Sequence, residues 1–421
     1  MKTERRLKKI AMPVGLAVLI VGCSAVGGQS PPALKSGQAV GSSSQDEVPI
    51  TSTSSPTAAS LDAECEQPFG GERVQFSTGF WEGRTNFCKH SVPFSQFRSG
   101  GPPPDGIPAI DLPKFESVES ADEWLQDDWP VMFFEHDGDV RGYPLAILIW
   151  HEIVNDEVGG LPVALTFCPL CNATIVFDRT LADGTELDFG TTGNLRNSDL
   201  VMYDRQTFSW WQQFTGEAIV GDLTGTQLQF LPSQIIAWED FKQTQPDAKV
   251  LSRETGFVRS YGRNPYAGYD SVDGSPFFPV AGGDDRLSAL ERVVALELDR
   301  NHVVYPFSAL EDLRVINDEI AGQPIVVFWE AGTKSAFGNN GPEVGSTGVF
   351  IRTIGARVLT FEAVASGDGF VDTETGTRWN LLGQAVAGPL EGQQLTRVVS
   401  AEHFWFAWAA FKPESEIRGV R

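Results

Sequence analysis

Tyr143-Pro-Leu-Ala-Ile-Leu-Ile-Trp-His-Glu-Ile-Val-Asn-Asp-Glu-Val-Gly-Gly-Leu-Pro162 returns 162 residues later as Tyr305-Pro-Phe-Ser-Ala-Leu-Glu-Asp-Leu-Arg-Val-Ile-Asn-Asp-Glu-Ile-Ala-Gly-Gln-Pro324. Tyr-Pro, Asn-Asp-Glu, one Gly and the final Pro recur in register without a gap. Further on, Asp204, Thr207 and Trp211 meet Asp372, Thr375 and Trp379 at an offset of 168. Both stretches close on an aromatic amphipathic segment, from Ser233 and from Ser400. Self-similarity over this length means one supersecondary unit used twice. The chain reads as two tandem related repeats, 131–253 and 293–421, joined by a linker, 254–292.

Within a repeat the pattern is α+β and mainly antiparallel. Val131 to Val140 predicts a hairpin turning at Asp137-Gly138. Ala146 to Val154 is apolar all round and predicts a buried helix, stopped by Asn155-Asp156 and Gly159-Gly160. Leu161–Phe167, Ala173–Asp178, Glu186–Gly190 and Asp199–Tyr203 read as strands. Ser233 is a good N-cap for a closing helix with Ile236, Trp238 and Phe241 inward.

The two copies control for each other: residues kept in both are scaffold, and residues present in one serve a task of that copy. His151 becomes Leu313, Cys168 becomes Glu330, Cys171 becomes Thr333 and Met202 becomes Phe370. These are the nitrogen and sulfur metal ligands, lost together from a chain with only five His, five Cys and four Met. Pro169 favours a β-turn that brings the two thiols of Cys168-Pro-Leu-Cys171 together. The set Cys168, Cys171, His151 and a weak Met202 favours copper, with zinc next. Glu152 and Asp156 are expected to orient His151 by hydrogen bonding.

Two other readings stay open. The cysteines cycle as a redox dithiol, or they form a static disulfide in a non-catalytic binding or scaffold protein. A strand pattern after Cys171 weighs against the first, because CxxC oxidoreductases place the reactive thiol at a helix N-terminus. Arg196, Asp199 and Arg205 suit either a polar ligand beside the cysteines or plain turn and strand bonding. His90, His136, His302 and His403 read as structural or solvated. Gly190 and Gly193 open no phosphate loop, so no nucleotide is expected, and no Gly-x-Ser-x-Gly elbow supports a serine hydrolase.

The N-terminus carries an address. Lys2, Arg5, Arg6, Lys8 and Lys9 precede the apolar stretch Ala11–Val21, too short for a comfortable bilayer span. It ends in Ile20-Val21-Gly22-Cys23, which resembles the lipobox of bacterial lipoproteins and implies lipid attachment at Cys23. The expected layout is a signal peptide, 1–22, a Ser/Thr/Gly/Pro-rich tether, 23–60, and an N-terminal extension, 61–130, stapled by a Cys65–Cys88 disulfide. The protein is then anchored to the cell membrane or outer membrane and faces away from the cytoplasm. A net charge of −23 excludes nucleic acid. A metal or redox site implies a metal-transfer or electron-transfer partner protein.

Several motifs occur in a recognisable order. They are Gly100-Gly-Pro-Pro-Pro-Asp-Gly-Ile-Pro-Ala-Ile-Asp, His151-Glu-Ile-Val-Asn-Asp, Cys168-Pro-Leu-Cys171, Leu200-Val-Met-Tyr-Asp-Arg and Trp211-Gln-Gln. From about residue 75 onward the chain resembles domain-of-unknown-function family 3179. The resemblance implies one shared architecture and supplies no mechanism. The second repeat lacks the His and both Cys of the pattern, so it is expected to pack against the first and shape its pocket.

Overall fold

The computed structural model describes residues 69–420 apart from 72, 267, 279, 281, 337–340, 366 and 368. All of these lie in one compact unit, 62–421. Cys23 and Cys65 lie outside the described residues. The signal peptide, the tether, the lipid attachment and the Cys65–Cys88 pairing lie there with them.

Short strands dominate, and they pair mostly antiparallel. Parallel pairing between strands joins Lys249–Leu251 to Asp139–Pro144 and Glu416–Ile417 to Asn301–Pro306. The fold is α+β with a β-rich body, as the alternating patterns require. One order of elements runs twice. The hairpin Pro130–His136/Asp139–Pro144 leads into the helix Leu145–His151 and the hairpin Ile153–Val158/Leu161–Cys168. In the second copy the hairpin Arg292–Leu298/Asn301–Pro306 leads into the helix Phe307–Leu313 and the hairpin Val315–Ile320/Gln323–Glu330.

Turn chemistry explains the tight connections. Asp137-Gly138 and Asp299-Arg300 have positive φ at both positions, the twist that suits a two-residue hairpin. Each first helix stops on a left-handed residue, Glu152 at φ 59° and Arg314 at φ 60°. The helix expected to reach Val154 therefore ends at His151. Asn155 and Asp156 are strand residues, because the Gly159-Gly160 turn folds Ile153–Val158 onto Leu161–Thr166. The closing helix likewise starts at Trp238 and not after Ser233. Gln234–Ala237 is captured as a strand against Pro130–Phe133, and this ladder outweighs the capping preference of Ser233.

Residues kept in both copies make the same bonds in both. Tyr143 donates to Asp156 at 2.6 Å, and Tyr305 donates to Asp318 at 2.6 Å. Asn155 clamps the backbone of Phe189, and Asn317 clamps that of Phe361. The indoles of Trp211 and Trp379 donate to Asp204 and Asp372. Ahead of the first copy, Phe76, Trp81 and Phe97 pack on Trp210 beside the strand Asp199–Asp204. Among the described residues no helix is long and apolar enough to cross a membrane.

Candidate metal centre

Cys168 is the last residue of the strand Leu161–Cys168, and Pro169 opens a single 3-10 turn that carries Cys171. Asn172 at φ 50° then reverses the chain into the strand Ala173–Asp178. Asn tolerates this left-handed conformation, which a branched side chain would not. The result is a strand–turn–strand unit whose tip holds both thiols. Facing it is a second tip, Asn197-Ser198, with φ 52° and 65°, which starts the strand Asp199–Asp204.

These tips bring Cys168, Cys171 and Asp199 together, with their sulfur and carboxylate ligand atoms all within 4.8 Å of one another. All three are buried. Asp199 Oδ2 accepts from Gln212 Nε2 at 2.6 Å and from the Phe214 backbone N–H at 2.9 Å. Its Oδ1 is buried with no hydrogen-bond partner. Such an atom bears an uncompensated desolvation cost, which a bound cation would relieve.

Burial sets the protonation of the cluster. It pushes Asp199 up to about 7, against the pull of Gln212, Phe214 and the two thiols. It pushes Glu152 up to about 8, helped by the charge of Asp199. Burial also raises the Cys168 thiol, and it raises Cys171 well above the usual thiol range. At neutral pH the empty cluster therefore holds its protons. Among the described residues neither Glu152 nor Asp199 enters an ion pair.

The second copy shows what this omits. Position 152 corresponds to Arg314 and position 168 to Glu330, and there Arg314 and Glu330 approach to 3.7 Å. A guanidinium balances the acid in the second copy. In the first copy, acids and thiols face the same space with no side-chain cation paired to them.

The expected ligands divide. Cys168 and Cys171 meet as anticipated. His151 is buried elsewhere: its Nδ1 donates to the Pro108 carbonyl at 2.7 Å, and its Nε2 accepts from the Tyr261 hydroxyl at 2.7 Å. Both nitrogens are occupied, and burial lowers the imidazole's basicity. Met202 lies three residues after Asp199 on one strand, so alternation points it to the opposite face. Asp156 takes Arg141 and Tyr143 as partners, not His151. Neither it nor Glu152 orients the imidazole; Pro108 and Tyr261 do. Arg205 pairs with Asp111 at 2.6 Å, and Arg196 bonds Gln96 and Gln212.

Asp199 is the ligand that sequence reasoning left as a turn or polar-contact residue. The copy comparison contains the signal, since Asp199 aligns with Gly367 at the same offset of 168. Two thiols and a carboxyl are donors that zinc accepts together, in a site with room for a fourth ligand. The imidazole and thioether that favoured copper are directed elsewhere.

A family model described as "Protein of unknown function (DUF3179)" matches residues 104–415. No curated protein and no solved structure matches the chain.

Proposed function

The chain belongs to the DUF3179 family, and on that premise we propose that its first repeat is a metal-binding module. It holds one zinc ion through Cys168, Cys171 and Asp199. The observation that carries this reading is the buried, unpartnered Asp199 Oδ1 beside two thiols with no balancing side-chain cation. Glu152 stands next to Cys168 and is the nearest acid for the remaining coordination position or for a ligand that fills it. Binding requires the thiols and Asp199 to release their protons, so occupancy rises with pH through neutrality.

The test is elemental analysis of the purified protein with a thiol count on the same sample. Close to one zinc per chain is expected, with loss in Cys168→Ser and weakening in Asp199→Asn. Absence of zinc after loading the reduced protein overturns the zinc assignment. Copper in its place restores the copper preference that the thiolates alone still allow.

A second reading rests on the contact between the thiols themselves, since Cys171 hydrogen-bonds Cys168. Closing them to a disulfide releases two electrons to an external acceptor and two protons, for which Asp199 and Glu152 are adjacent acceptors. A protein isolated metal-free with Cys168 and Cys171 reversibly oxidised supports this reading over the metal.

The same proposal places the module outside the cytoplasm, tethered by lipid at Cys23. Support comes from the basic residues, the short apolar stretch and Gly22-Cys23. Cys23→Ala is expected to move the protein from the membrane fraction to the soluble fraction; an unchanged distribution contradicts the anchor.

A further inference from the structure

We propose that a cleft between the two repeats, separate from the thiol cluster, binds a small aromatic cation with a hydrogen-bonding group at its far end. A cavity of about 640 Å³ opens where the strand Ser400–Phe404 packs near the strand Ala173–Asp178. That volume is in the range of small-molecule sites. Thr174, Phe214 and Phe230 line it from the first repeat, and His403 and Trp408 line it from the second.

Its inner wall carries two polar groups that nothing satisfies. Thr174 is 3 % exposed and His403 is 2 % exposed. Thr174 Oγ1 and His403 Nδ1 are both buried without a hydrogen-bond partner. Burial drops the imidazole to about 3, so it is neutral and offers one donor and one acceptor. A phenolic hydroxyl matches that pair, because it donates and accepts through one atom.

The walls favour a flat ring. Phe214 lies 4.6 Å from the His403 ring and stacks on Phe411 at 4.6 Å, while Trp408 lies 5.4 Å from His403. The more exposed lining residues are acidic. Glu217, Glu297 and Asp299 stand against Lys412 alone, and Lys412 is already bound to Glu297 at 2.6 Å. This excess of negative charge selects for a cation and against a carboxylate. Each repeat supplies part of the wall, which gives the metal-ligand-free second repeat a task at this cleft.

Tyramine carries the required ring, hydroxyl and ammonium. Titrated into the whole protein by calorimetry, it is expected to bind saturably at one per chain. Phenylethylamine, without the hydroxyl, should bind about tenfold more weakly. 4-Hydroxyphenylacetate, with the charge reversed, should show no saturable heat. Thr174→Val, nearly isosteric and losing only an unpartnered hydroxyl, should weaken tyramine about tenfold without lowering the melting temperature. Glu217→Gln, a half-exposed change that spares the fold, should weaken it as well. Absence of saturable tyramine binding overturns the proposal. So does equal affinity in both variants, or carboxylate binding as tight as amine binding.

Discussion

Asp199 is the residue on which the centre turns, and its protonation gives a test at its own scale. Its folded value of about 7 lies above the ordinary carboxyl value of 3.8, and Glu152 at about 8 lies above 4.5. A raised folded value means that the native state holds a proton that the unfolded state has already lost. These two groups therefore stabilise the metal-free protein below about pH 4, and that contribution disappears as pH rises to about 8. Melting of the metal-free protein should show this loss, and Asp199→Asn should make the curve flatter. A variant curve parallel to wild type would contradict the assignment. Asp156 offers a contrast. It is buried against Arg141 at 2.7 Å and Tyr143 at 2.6 Å, so Asp156→Ala leaves a buried guanidinium without that carboxylate and should cost about 3–5 kcal/mol in denaturant unfolding. A cost under about 1 kcal/mol would mean that the pair is no more than a surface contact.

At the scale of the element, the centre depends on two tips that reverse the chain. Asn172 at φ 50° lets Cys171 return toward Cys168. Asn172→Gly keeps that geometry and should bind zinc as wild type does. Asn172→Val forces a branched residue into the left-handed region, costs about 1–3 kcal/mol and displaces Cys171. Zinc retention in both variants would show that the tip geometry does not matter. The elements also show how far the sequence could be read. The Asp137-Gly138 hairpin and the strands beginning at Leu161, Ala173 and Asp199 are legible, because alternation and turn residues act locally. The end of the first helix is not, because an apolar run reads alike as buried helix or buried strand, and a long-range ladder decides at Ile153. The strand Gln234–Ala237 is hidden for the same reason, since its partner lies about a hundred residues away. Cys168 and Cys171 are legible from their spacing. His151 misleads because its distinctiveness between copies reflects bonds to Pro108 and Tyr261, groups that no local pattern marks.

Across the whole molecule, the duplication yields one shared scaffold with two solutions to a buried charge. The second copy places Arg314 against Glu330, while the first leaves Glu152, Asp199 and two thiols unbalanced. Glu152→Arg imports the second solution into the first copy. It should abolish zinc retention and raise the melting temperature of the metal-free protein at pH 8, where the acids are most ionised. A variant that still binds one zinc with wild-type affinity would show that no cation is missing there.

The central claim is a sulfur-and-oxygen metal centre in the first repeat, and X-ray absorption at the zinc edge tests it most directly. The account predicts two sulfur ligands at about 2.3 Å with oxygen at about 2.0–2.2 Å, and one sulfur fewer in Cys171→Ser. A shell of nitrogen and oxygen alone, or a protein that takes up no zinc to measure, would contradict it.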